Sequence, residues 1–298
     1  MRSTTLTLTI VLTIGILSVS TAAILIRLAT NVSGTSGVGF SLVLAASRLS
    51  IAALFLVPTW RSFQPASRNA IKFAIGAGIS LAVHFATWIS SLSYTSIAAS
   101  TTLVTTNPLW VALLSWFWFR EKPTRATFLG IGIAMVGGIL IGLDDTSQDG
   151  SNPLLGNGLA IVGAWAASLY LLLGREAQRQ GLDVKSYVTV AYSTAAITLF
   201  PLPFLFGSPY LGYPLLTYVY IALMAVFPQL IGHTSFNWAM RHLPPTIVTL
   251  IILLEPVGST IFAIAFFQEI PGTQIIIGAL VLLLGVAIAI LRNSAKVS

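Results

Sequence analysis

The chain has 298 residues, 56% hydrophobic and 8% charged, with mean hydropathy +0.90 and formal net charge +7. A soluble domain carries about a quarter charged residues, so a water-facing surface cannot be built from this sequence. The basic residues are spread over loops and form no single patch, which excludes a nucleic-acid surface, and the absence of Cys excludes disulfides, thiolate nucleophiles and cysteine metal sites.

Ten apolar windows are each long enough, at about 1.5 Å per residue, to cross a hydrocarbon core of roughly 30 Å. They are 6–28, 38–58, 71–91, 96–118, 126–143, 154–174, 186–206, 214–238, 245–267 and 274–291. The first has only Arg2 before it and no small-residue cleavage site after it, so it reads as a retained helix and not a signal peptide. Between the first two windows, Gly34-Thr35-Ser36-Gly37-Val38-Gly39 lacks the lysine and strand of a phosphate-binding loop and reads as a flexible hairpin. The second window carries Arg48 at its middle.

In the third window Ser80, His84 and Trp88 recur every four positions, which places them on one helix face. The fourth contains Asn107-Pro108. A proline there removes a backbone hydrogen bond and clashes one turn back, near Val104, so the helix kinks or opens. Glu121, just beyond it, reads as a brace for the loop, and Gly130, Gly132, Gly137, Gly138 and Gly142 in or beside the fifth window read as close-packing positions.

The sixth window offers Trp165, Ser168 and Tyr170, and the eighth repeats the four-residue polar spacing with Gln229, His233 and Asn237. Polar stripes in apolar helices face the bundle interior, either as a substrate path or as interhelical hydrogen bonds. In the ninth, Glu255-Pro256 breaks the helix near Ile252, and Glu269 follows as a second loop brace. Arg48 and Glu255 both lie near the membrane midplane, where a charge costs about 2.5 to 3.5 kcal/mol and needs a partner or water. They are candidates to pair with each other, as a structural ion pair or as a coupling site in which Glu255 exchanges a proton.

Thirteen basic residues, among them Arg61, Arg68, Lys72, Arg120, Lys122, Arg179 and Lys185, fall in or beside alternate loops and termini. The opposite side holds only Arg27, at a helix border, with Asp144, Asp145, Asp149 and Glu269. The positive-inside rule then puts both termini in the cytoplasm of an inner (plasma) membrane. A shift of 148 residues superposes Gly15 on Gly163, Arg27 on Arg175, Pro108 on Pro256, Glu121 on Glu269, Pro123 on Pro271, Gly130 on Gly278 and Gly137 on Gly285. Such an ordered series marks a duplication. Each unit, 6–143 and 154–291, holds five spans, and an odd number inverts the second relative to the first. The expected fold is all-α integral membrane: ten transmembrane helices as two inverted five-helix repeats.

The stretch from Tyr94 to Gly142, with its mid-helix Pro, following Glu and glycine-rich fifth helix, resembles the EamA repeat of the drug/metabolite transporter superfamily. The second copy, from His242 to Leu291, carries the same marks as Pro256, Glu269, Gly278 and Gly285, and Arg48 resembles an arginine often seen in the family's second helix. Many members have a Trp-Gly pair in the first helix, where this chain reads Ser18, Val19, Ser20 and Thr21. The resemblance implies ten helices and export of small metabolites or drugs, amino acids being a frequent class.

The leading expectation is a secondary transporter, an exporter, working by alternating access around a central cavity. Its partners would be a small-molecule substrate, the lipid bilayer and a coupling proton, with no cofactor, because no nucleotide-binding motif is present. The alternatives are an intramembrane hydrolase, with Ser36 as nucleophile and His84 or His233 as base, and a channel or a scaffold that transports nothing.

Overall fold

The computed structural model describes residues 2–63, 67–95, 97–120, 122–143, 152–268 and 272–294. Among them every α, 3-10 or π element is helical and no strand occurs. Glu121, Glu269, Pro271, Asp144, Asp145 and Asp149 lie outside the described residues.

The first half comprises α1 (Arg2–Ser20), α2 (Ala22–Ser33), α3 (Val38–Phe55), α4 (Arg68–Ser91), α5 (Ile97–Val104), α6 (Asn107–Phe119) and α7 (Arg125–Leu143). The second comprises α8 (Pro153–Arg179), α9 (Val184–Leu199), α10 (Leu202–Leu205), α11 (Leu215–Met224), a π-helical segment (Ala225–His233), α12 (Thr234–Ala239), α13 (Pro245–Ile252), α14 (Glu255–Phe267) and α15 (Thr273–Ser294). Among the described residues, seven helical stretches are long and apolar enough to cross a membrane: Thr5–Ser33, Val38–Phe55, Arg68–Ser91, Pro153–Arg179, Val184–Leu205, Leu215–Ala239 and Pro245–Phe267. Arg125–Leu140 and Ile276–Gly285 are shorter apolar helices by the same measure, and the expected span 96–118 is divided between α5 and α6.

The burial pattern is that of a protein dissolved in lipid. Large apolar side chains face outward, with Phe117 90% and Leu154 85% exposed, while alanines such as Ala45, Ala77, Ala164 and Ala191 fill the interior. Lipid tails are as apolar as leucine, so helices gain little by hiding large side chains and associate through small residues that let backbones approach. Gly137 of α7 faces the Leu282 amide and Gly278 carbonyl of α15, and Gly285 of α15 faces the Ala134 amide and Gly130 carbonyl of α7. A Cβ at either glycine would collide with backbone.

The packing maps onto itself when the halves are exchanged. Helix α4 packs on α8 as α1 does on the π segment and α12, α6 on α8 as α14 on α1, and α5 on α7 as α13 on α15. The pairs α3 with α9, and α7 with α15, map onto themselves. Even the ends agree: α6 and α14 stop at Arg120 (φ 55°) and Gln268 (φ 58°), non-glycine residues in the left-handed conformation that closes a helix C-terminus.

Candidate functional site

The two broken helices place backbone ends inside the bundle. Helix α5 ends at Val104 and α6 begins at Asn107, with Pro108 in its first turn; α13 ends at Ile252 and α14 begins at Glu255, with Pro256 in its first turn. Each proline therefore opens a new helix, where its missing N–H costs nothing, instead of bending a continuous one. Carbonyls freed at such breaks must find donors, because lipid offers none. With its amide in the orientation that satisfies its surroundings, Asn107 Nδ2 donates to the Val104 carbonyl at 2.8 Å and the Ala164 carbonyl at 3.2 Å. Ser168 Oγ donates to the Ala164 carbonyl of its own helix at 2.8 Å and lies 3.5 Å from the Asn107 carbonyl, and Ser20 Oγ lies 3.4 Å from the Glu255 carbonyl. Ser20 and Ser168 are themselves related by the 148-residue shift.

Between these breaks lies a cavity with about 520 Å³ of non-atom space, counting its open mouth. Of the sequence-derived candidates, Arg48, His84, Trp88, Asn107, Tyr170, His233 and Glu255 line it. Val19, Ala22, Thr105, Pro228 and Phe236 also contribute walls, and nothing in the one-dimensional pattern separates them from packing residues.

Arg48 is fully buried. Its Nε donates to Gln229 Oε1 at 3.2 Å and its guanidinium carbon lies 4.1 Å from the centre of the Phe85 ring. Nη1 and Nη2 have no hydrogen-bond partner, and neither does Gln229 Nε2 or Trp88 Nε1. Glu255 lines the same cavity, and no hydrogen bond joins it to Arg48.

His84 Nδ1 lies 3.0 Å from the Gly163 carbonyl. A carbonyl only accepts, so Nδ1 carries the proton and Nε2 of the neutral ring is left as an acceptor. The His84 ring stacks on Trp88 with centroids 5.8 Å apart and meets His233 at 6.2 Å. His233 in turn touches Phe85 at 5.4 Å and Tyr170 at 6.2 Å, so both histidines belong to one aromatic cluster. Asn237 Nδ2 donates to Tyr170 Oη at 2.5 Å, and Tyr192 Oη bonds Thr234 Oγ1 at 3.1 Å.

Four sequence candidates sit elsewhere. Ser80 donates to the Gly76 carbonyl of its own helix, Trp165 is exposed, and Gln229 and Asn237 stand behind the wall, orienting Arg48 and Tyr170. Gln229 and His233 fall within the π segment, which contains Pro228. Ser36 is exposed in the turn between α2 and α3 and does not line the cavity that holds His84 and His233. Among the described residues no group of three His, Asp or Glu side chains is placed to hold a metal.

A family model described as "EamA-like transporter family" matches residues 6–143 and 154–291. A Bacillus subtilis (strain 168) protein described as an uncharacterized transporter, YyaM, is 25% identical over 226 residues, covering 74% of this chain and 73% of its own. A Synechocystis sp. protein, also described as an uncharacterized transporter, is 26% identical over 216 residues, covering 71% and 65%. The chain thus spans about two thirds to three quarters of the length of these relatives. One solved crystal structure shares the fold, with TM-score 0.73 over 98% of this chain and 99% of that one at 19% identity.

Proposed function

Because the chain belongs to the EamA-like transporter family, we propose that it is a secondary transporter that exports small metabolites such as amino acids by alternating access around the Arg48–Glu255 cavity. In this reading ten helices cross the inner membrane as two inverted five-helix repeats, 6–143 and 154–291, with both termini cytoplasmic. The self-mapping helix pairs and the matched serine-to-carbonyl contacts support the repeat. Two similar units of opposite orientation can exchange packings, so one chain opens toward either face.

The observation that carries the proposal is one cavity lined from both halves, with an arginine and a glutamate beside two interrupted helices. Charged groups at membrane depth mark substrate or ion pathways, and irregular backbone is tolerated there when it lines a cavity. Glu255 begins α14, where the helix dipole favours its carboxylate, while burial opposes it. In the proposed cycle Glu255 is ionised near Arg48 in one conformation and protonated in the other, so the proton supplies the free-energy difference between states.

The test is transport by proteoliposomes with and without an imposed proton gradient. Wild type accumulates substrate with the gradient, whereas Glu255→Gln loses accumulation but keeps exchange, at equal protein yield. Full gradient-driven accumulation by Glu255→Gln would remove the coupling role.

A further inference from the structure

The arginine that lines the cavity is held in a way that a structural ion pair does not require. Its Nε is bonded to Gln229 Oε1 and one face of the guanidinium is covered by Phe85. What remains is the Nη1–Nη2 edge, fully buried, without a partner, on a residue that lines the cavity. Trp88, whose Nε1 donor is likewise buried and unpartnered, lines the same cavity. Helices α6 and α14 both begin at its wall, so two positive dipole ends add to the field.

Unmet donors at this depth are costly unless something arrives to accept from them. The fork of a guanidinium matches the two oxygens of a carboxylate, and an arginine whose Nε and face are already fixed loses little freedom on making that contact. Among charged side chains lining the cavity, Glu255 supplies the one carboxylate, and it is not bonded to the fork.

We propose that the Nη edge of Arg48, assisted by Trp88 Nε1, is the subsite for a carboxylate on the transported molecule, with Gln229 and Phe85 as positioning residues. The cavity therefore selects substrates by charge: molecules bearing a carboxylate move, and counterparts of the same size lacking it do not. This rests on the transporter reading, which it deepens by assigning the anion-binding group.

The experiment offers proteoliposomes an equimolar mixture of the twenty amino acids, their amides and their decarboxylated amines, and reads uptake by mass spectrometry. For every side chain that moves, the acid should be taken up at least about tenfold faster than its amide, the discrimination expected from a charged hydrogen bond. Arg48→Gln should shrink that ratio to about twofold or less, Arg48→Lys should restore part of it, and Trp88→Phe should raise KM for the acid about threefold with little change in kcat. Amides moving as fast as acids through the wild-type protein would overturn the subsite and leave the carrier intact, whether or not the Arg48 variants fold. No movement of any compound would remove amino acids as the substrate class, and the inference with it.

Discussion

Replacing Arg48 with methionine should abolish transport while leaving the fold about as stable as before. The substitution removes a charged hydrogen bond to Gln229, about 1.5 to 3 kcal/mol, and a cation–π contact with Phe85, about 0.5 to 2 kcal/mol. It also removes two buried guanidinium nitrogens that bond nothing, each costing about 1 to 3 kcal/mol. The two sums, about 2 to 5 lost and 2 to 6 recovered, cancel to within a few kcal/mol. A flexible thioether of similar length then fills the space, and Glu255, which loses its opposite charge, is held as the neutral acid, since a lone buried charge would cost about 3 to 5 kcal/mol. The assay is thermal unfolding in detergent beside counterflow in proteoliposomes. A melting temperature within a few degrees of wild type with no counterflow is expected. Transport at the wild-type rate would show that Arg48 does not hold the substrate, and a protein that no longer folds would show that its guanidinium is needed for stability.

Gly137→Leu and Gly285→Leu should each destabilise the α7–α15 contact by about 1 to 3 kcal/mol or prevent folding, read as lost monodisperse yield, whereas Gly132→Ala, with nothing within 4 Å of its added Cβ, should be neutral. Asn237→Ala should raise KM about tenfold by releasing Tyr170, and Trp88→Ala should do so by opening the cavity wall, both without loss of membrane insertion; unchanged kinetics would remove these residues from the substrate path. Cysteines placed at Ser36 or Ser147 should react with an impermeant reagent added outside cells, and those at Ser67 or Ala295 should not; labelling at Ser67 would overturn the cytoplasmic termini. Ser20→Ala and Ser168→Ala should each cost about 0.5 to 1.5 kcal/mol, measured by chemical unfolding, because the first removes the hydroxyl's contact with the Glu255 carbonyl and the second its bond to Ala164 and its contact with Asn107.

The site was most legible where chemistry conflicts with the solvent. Arg48 and Glu255 stand out because a charge in an apolar span demands a reason, and Asn107-Pro108 with Glu255-Pro256 stand out because prolines recur at matched positions. Polar residues at four-residue spacing were harder to place. A hydroxyl such as that of Ser80 can be satisfied by its own helix, and Gln229 and Asn237 by a neighbouring side chain, so a polar stripe does not say which member reaches open space. Pro228 lies in a π-helical segment with both residues, where His233 lines the cavity wall and Gln229 stands behind Arg48, a local widening that a four-residue spacing does not reveal. The two histidines are one position out of register in the repeat, yet their rings meet, because α4 is a continuous α-helix and its counterpart is not. Phe85, Tyr187 and Tyr192 left no separate signal, since aromatic residues in apolar spans look alike whether they pack or support a site. Ser20 and Ser168 did leave one, in the same 148-residue shift that relates the prolines.

In the proposed cycle one cavity, built from both halves, carries a small molecule across the membrane. Counterflow tests it most directly: proteoliposomes loaded with unlabelled amino acids at high concentration are placed in a trace of the labelled mixture, and internal label is followed over time. A carrier gives a transient overshoot that saturates with external concentration, vanishes in Arg48→Met and persists in Glu255→Gln. Label that only equilibrates, at a rate linear in concentration, or that enters no faster than in empty liposomes, would contradict it.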